Sequence, residues 1–158
     1  MKSKKIYTIV LIVLLVIVGS LELKHLGFFS KQNIKISNNL FFIHPIRVGS
    51  AFFSTAFAIS ESERTIGLSG TNKLEPNQGL LFVFPENDYW GIWMKDMKYP
   101  IDIIWLTEKG EVSYIKQNVS PDTYPEVFYP PVLERYVLEL PAGTVEALKI
   151  EFGDLLLY

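Results

Sequence analysis

The chain has 158 residues, 49% hydrophobic, 14% aromatic and 20% charged, which excludes a disordered chain and suits one packed domain of ordinary size. Setting aside Lys2, Lys4 and Lys5, the only charges before Glu22, leaves 12 Lys and Arg against 17 Asp and Glu, a net −5, so the basic stripe that nucleic-acid binding needs is missing. Cysteine is absent and the only histidines, His25 and His44, lie upstream of the domain, which excludes thiol nucleophiles, disulfides, Ser-His-Asp triads and His or Cys metal sites; no cofactor is expected.

The chain begins with three lysines followed by Ile6 to Val18, apolar throughout apart from Thr8, and then Gly19, Ser20 and Leu21. The 16 residues from Ile6 to Leu21 reach about 24 Å as a helix, slightly short of the roughly 30 Å hydrocarbon core, and snorkelling lysines can make up the difference. Residues 1–21 therefore read as a hydrophobic N-terminal helix, either an uncleaved signal anchor or a signal peptide cut near Val18-Gly19-Ser20. The lysines keep the N-terminus in the cytoplasm and the rest crosses. The expected location is the cytoplasmic membrane with the domain outside, or secretion if the segment is cleaved. No cysteine follows the run, so a lipoprotein anchor is excluded.

Residues 22–45 mix Lys, Asn, Ser and Gln with stray aromatics and read as a linker, and residues 46–158 as a single β-rich domain. Strands are expected at Ile46 to Val48, Ala51 to Ala58, Leu80 to Phe84, Tyr89 to Met94, Ile101 to Leu106, Glu111 to Gln117, Tyr136 to Leu140 and Leu155 to Tyr158. The run Leu80 to Phe84 has the composition of a strand buried on both faces, and Thr107 to Gly110 that of a hairpin turn. Ser60 and Glu63 have capping-box spacing for a short helix ending near Gly67, and a second short helix fits Val145 to Lys149 with Thr144 as N-cap. The fold class is mainly β, a compact β-sandwich or barrel-like domain with two short helices. Asn118 to Pro131 holds four of the nine prolines with Tyr124, Phe128 and Tyr129, and reads either as a stiff connection capping the core or as a ligand-covering loop.

The landmarks, taken in order, resemble the domain of unknown function 192 family of small, often exported or membrane-tethered prokaryotic proteins. They are Arg64 with Gly67-Leu68, Gly79 to Phe84, Trp93-Met94-Lys95-Asp96, Pro100-Ile101-Asp102, Gly110 with Val112, Tyr136 to Leu140, Ala142-Gly143 and Gly153-Asp154. The resemblance implies a compact, mostly β sandwich-like fold and a bacterial or archaeal source, and no reaction. The chain departs from the family pattern at Leu80, where Met is usual, and at Asp96-Met97, where Asn-Thr is usual.

Asp102 interrupts an apolar strand on the same face as Ile104, and a carboxylate there needs a partner. Arg64, Lys95 and Lys98 are the candidates, and the planar fork of Arg64 suits a carboxylate best. Glu139, also in an apolar strand, is a second acidic candidate. Two readings compete for this group: a structural ion pair locking the short helix onto the sheet, or a pocket in which Arg64 and Lys95 hold a small anionic or sugar-like ligand against Trp93. The ligand-binding candidates are thus Arg64, Trp93, Lys95 and Asp102; no catalytic residue or metal ligand is assigned. The leading expectation is a membrane-tethered ligand-binding or accessory module. The alternatives are a small envelope hydrolase using Asp96 and Asp102, since paired acids cleave glycosidic bonds when about 5 to 10 Å apart, or a structural component of a membrane complex. Ser69 with Lys95 is a further nucleophile pairing by residue type alone.

Overall fold

The computed structural model describes residues 34–36, 39–41 and 43–158, with side chains from Ile43 onward. The expected N-terminal helix at 1–21 lies outside the described residues. A short antiparallel pair, β1 (Ile34–Ile36) and β2 (Asn39–Phe41), precedes β3 (Ile43–Val48), which starts three residues inside the segment assigned to the linker. The order then runs β4 (Ala51–Ala58), α1 (Glu61–Ile66), β5 (Gln78–Asp88), β6 (Ile92–Trp93), β7 (Ile101–Leu106), β8 (Val112–Val119), β9 (Val127–Phe128), β10 (Glu134–Pro141), α2 (Thr144–Leu148) and β11 (Leu156–Leu157).

Seven strands form one sheet in the order β11-β3-β4-β5-β10-β7-β8. Neighbours are antiparallel except β4 and β5, and a parallel pair needs a crossover, which α1 provides. The sheet curls into a half-barrel instead of facing a second sheet. Its outermost strands meet at one end, where Glu111 bridges Leu155 and the Val112 N–H donates to Asp154 O at 2.9 Å.

The central strands β5, β10 and β7 carry apolar residues on both faces, as the unbroken LLFVF run predicts. Alternation sends Leu81, Ile104, Leu138 and Leu140 to the inner core with Phe53, and Phe82, Ile103, Trp105 and Val137 to the outer core. Each such side chain contributes about 1.5–3 kcal/mol when fully buried. The outer layer is covered by α1, the turn after it, and the small sheet that β6 makes with β9. That small sheet accounts for two departures from expectation. The strand expected at Tyr89 to Met94 is reduced to Ile92–Trp93 because Trp90 leaves the ladder to stack on Phe84, with ring centroids 4.1 Å apart at 8°. The proline-rich segment, in turn, contains a 3₁₀ turn at Pro121–Thr123 and β9.

Both helices are too short to persist by propensity alone, and each is pinned by polar contacts. In α1 the capping box forms as expected: Ser60 Oγ accepts from Glu63 N–H at 3.3 Å and Glu63 Oε2 from Ser60 N–H at 2.8 Å. In α2 the expected cap does not form. Thr144 is already helical and its hydroxyl donates back to Pro141 O at 2.6 Å. Gly143 holds the N-cap position at φ 83, a left-handed conformation natural to glycine, without a side-chain oxygen to offer. The missing acceptor comes from the sheet, as Asp102.

Candidate functional site

The site is assembled where β4 and β5 part. Their ladder ends at Ala58 and Phe82, while β5 continues to Asp88. Past that point Val83 O accepts from Arg64 Nη1 at 3.1 Å, and the same nitrogen donates to Ile59 O. The guanidinium lies 5.4 Å from the centroid of Phe84, which carries Trp90 stacked upon it. Arg64 thus closes the open end of the parallel ladder and holds α1 down, although α1 buries no side chain of its own.

Beneath the C-terminal end of α1 is a cavity of about 90 Å³, walled by Phe82, Phe84, Ile92, Trp93 and Met97, with Arg64 and Glu139 among its lining residues. Gly67 forms its turn at φ 50, with its N–H on Glu63 O at 2.8 Å. Glu139 projects from β10 on the outer face, is 4% exposed, and its Oε2 has no hydrogen-bond partner. Burial pushes this carboxyl up to about 8, so it is protonated at neutral pH. Tyr99, also buried in the outer core, shares a 2.7 Å hydrogen bond with Thr71 Oγ1. Since Thr71 donates its one proton to Leu68 O at 2.6 Å, the Tyr99 hydroxyl is the donor. Burial pushes the phenol up, against the Thr71 hydrogen bond and with some help from the charge of Glu139.

Of the four residues singled out from sequence, Arg64 and Trp93 line this cavity. Lys95 stands beside it with Nζ 5.6 Å from the Trp93 ring centroid. Asp102 is elsewhere, and the expected Arg64–Asp102 pair does not form. Strand alternation places Asp102 on the inner face with Ile104, whereas α1 covers the outer face. Asp102 is fully buried; Oδ1 accepts from Asn118 N–H at 2.8 Å and Oδ2 from Val145 N–H at 2.9 Å. It therefore caps α2 from across the sheet and holds the bulge at Asn118.

The acid pair and the Ser-Lys pair are not assembled either. Asp96 sits in an exposed turn at φ 56 and, like Asp102, does not line the cavity. Ser69 Oγ donates to the backbone oxygen of Lys95 at 2.8 Å. Trp93 and Tyr124 meet edge to face, centroids 6.2 Å apart, so the cavity lies on the α1 side of Trp93 and not between it and the proline-rich loop. A larger, open depression of about 510 Å³ lies between Lys73–Pro76 and Pro141–Leu148, but its buried polar side chain, Thr144, is already bonded, and we favour the smaller cavity on chemical grounds.

Sequence reasoning ranked Glu139 behind Asp102 and did not single out Gly67 or Met97 as cavity residues. The alternation in Tyr136 to Leu140 was the available signal: it puts Glu139 on the face of Val137, the face that α1 must cover.

The family model for the domain of unknown function 192, described as an uncharacterized ACR, matches residues 43–158. No curated protein matches the chain. A crystal structure of a Sinorhizobium meliloti protein, provisionally named a transcription regulator, is similar at 29% identity and a TM-score of 0.70, covering 74% of this chain and 94% of that one. A Novosphingobium aromaticivorans protein of unknown function shares the fold at 23% identity and a TM-score of 0.75, covering 82% of this chain and 93% of its own. The match over 43–158 spans the described sheet from β3 to β11, and the chain belongs to the domain of unknown function 192 family.

Proposed function

We propose that the domain is a ligand-binding or accessory module, held outside the cytoplasmic membrane by residues 1–21, and that its site is the cavity beneath α1 and Trp93. The observation that carries this reading is Glu139, a buried carboxyl whose Oε2 has no hydrogen-bond partner and which is among the residues lining that cavity. An unsatisfied buried polar atom costs about 1–3 kcal/mol, a cost that a bound ligand group would remove. The half-exposed Trp93 and the cations Arg64 and Lys95 supply a stacking wall and charge at the rim. A nucleic-acid role, which the regulator name of the Sinorhizobium protein raises, is not supported by the charge of this chain, a net −5 from Glu22 onward.

A hydrolase has one feature in its favour: burial pushes the Glu139 carboxyl up to about 8, which suits the proton a general acid must carry at neutral pH. Glycosidase chemistry needs a second acid about 5 to 10 Å away, and among the described residues lining the cavity Glu139 is the only one.

The test is an NMR screen of the wild-type domain against small polar metabolites. Shifts confined to Gly67, Trp93 and Glu139, abolished in Glu139→Gln, are expected; shifts elsewhere or none would overturn the site. Alkaline phosphatase fused after Tyr158 should be active if residues 1–21 export the domain, and a fusion that is inactive but fluorescent as a cytoplasmic reporter would overturn the topology.

A further inference from the structure

Building on the cavity as a binding site, we propose that its ligand is a small zwitterion, with a protonated amine seated against Glu139 and a carboxylate at the mouth against Arg64. Size is the first constraint. The cavity is small, about 90 Å³, so the amine end of the ligand enters it while the rest can lie outside against Trp93.

Charge is the second. Glu139 lines the cavity and its Oε2 has no partner; once it gives up its proton, the carboxylate calls for donors, and an ammonium offers three. Phe82, Phe84, Ile92 and Trp93 give the cavity apolar walls, and an apolar surround strengthens such a contact. At the rim, Arg64 spends Nη1 on two backbone carbonyls, and its other N–H groups make no hydrogen bond among the described residues. A simple cation would have to pass Arg64 and Lys95. A simple anion would satisfy the rim and could take a hydrogen bond from the protonated carboxyl, but it would leave Glu139 uncharged and release no proton. A molecule with both charges answers both ends.

Glu139 pairs with Leu80, and Arg64 is anchored at Val83, so the backbone positions of the two anchors are three residues, about 10 Å, apart along β5. Anchors at separate points along the strand favour an amine and an acid at opposite ends of a short chain, as in an ω-amino acid or a dipeptide, over an α-amino acid.

Binding would also move a proton. Burial holds Glu139 protonated, its carboxyl pushed up to about 8, and an arriving ammonium favours the carboxylate, so up to one proton leaves for solvent. The other ionisable groups around it are Tyr99, from the turn before β7, and Arg64, from α1; β5 and β7 present Leu80, Phe82, Ile101 and Ile103 on that face.

Titration calorimetry of the wild-type domain with 5-aminopentanoate and glycylglycine, in phosphate and in Tris at pH 7, tests this. Heats that differ between buffers by the release of close to one proton are expected, with affinity rising by up to tenfold per pH unit from 6 to 8. Carbon NMR of the Glu139 carboxyl should report its ionisation on ligand addition. Glu139→Gln, with its fold checked by circular dichroism, should lose the proton release and at least tenfold in affinity. Pentylamine or pentanoate binding as tightly as the zwitterions would overturn the proposal. So would glucose entering the cavity without proton release, though the binding-module reading would then stand. If none of these probes binds, both readings fall.

Discussion

The two faces of the sheet each bury an acid within an apolar strand, and comparison of the two separates structure from candidate function. On the inner face, Asp102 has both oxygens engaged by backbone N–H groups, one from the β8 bulge and one from the first turn of α2. On the outer face, Glu139 is almost as deeply buried yet leaves Oε2 unpaired beside a cavity. Burial alone therefore does not mark a site. Asp102 is consumed by the fold, joining two segments far from it in sequence, whereas Glu139 stabilises nothing visible and keeps hydrogen-bonding capacity in reserve.

The largest effect should come from the inner face. Asp102→Ala orphans the buried N–H of Val145, uncapping α2, and removes the acceptor of the N–H of Asn118, an exposed residue. At about 1–3 kcal/mol for the orphaned Val145 N–H, which is the cap itself, and about 0.5–1.5 kcal/mol for the lost Asn118 hydrogen bond, the loss should be about 1.5–4.5 kcal/mol. Urea denaturation measures it, and Asp102→Asn should recover part of it by keeping one acceptor. A loss under about 1 kcal/mol for the alanine variant would mean that the inner acid is no more structural than the outer one.

The outer face should show itself through pH. The folded Glu139 carboxyl titrates near 8 against an ordinary value of 4.5, so between those values the folded state binds more protons than the unfolded one. Burial makes the carboxylate costly, so the folded state carries no penalty below 4.5 and loses stability as pH rises from there through 8. Relative to Glu139→Gln, the wild type should weaken by up to about 1.4 kcal/mol per pH unit within this window and stay weaker above it. A pH-independent difference between the two would place Glu139 among the satisfied acids.

Much of this contrast was legible in the sequence, and the misreading has a physical cause. Uninterrupted apolar runs located β5 and β7, and the capping-box spacing located α1. The same runs marked Asp102 and Glu139 as acids out of place. A cation was then sought for Asp102, because side-chain charges can be read from a sequence, while free backbone N–H groups cannot. The donors of Asn118 and Val145 exist only once β8 bulges and α2 turns at Gly143. The cavity was hidden for a similar reason: it arises where β4 leaves the ladder before β5 does, a mismatch of strand lengths that no single residue announces.

Tyr99→Phe refines the comparison on the outer face itself. Tyr99 is a buried polar group beside Glu139 whose hydrogen bond, unlike that of Glu139, is complete. Removing the hydroxyl takes away one donor and leaves Thr71 still bonded to Leu68 O, so the cost should be about 0.5–1.5 kcal/mol. A thermal midpoint unchanged in the variant would show that complete pairing on this face contributes nothing, and the distinction drawn from Asp102 would hold only for the inner core.

Asp96 supplies the smallest effect and the control for all the others. It is an acid in the same stretch of chain as Asp102, six residues earlier, but exposed, and its contact with the fold is through its backbone oxygen, which accepts from Gly70 N–H at 2.8 Å. What the position demands is conformation: φ 56 is left-handed, which Asp tolerates better than most residues and glycine better still. Asp96→Ala should therefore cost about 1 kcal/mol or less and Asp96→Gly about nothing. An effect of side-chain charge would instead make the two variants equally destabilised. Denaturation midpoints of Asp96→Gly, Asp96→Ala and Asp102→Ala measured side by side should fall in that order, the last far below the others. If Asp96→Ala fell as far as Asp102→Ala, the strain of a single turn would outweigh two hydrogen bonds, and hydrogen bonding could no longer explain why the inner acid matters.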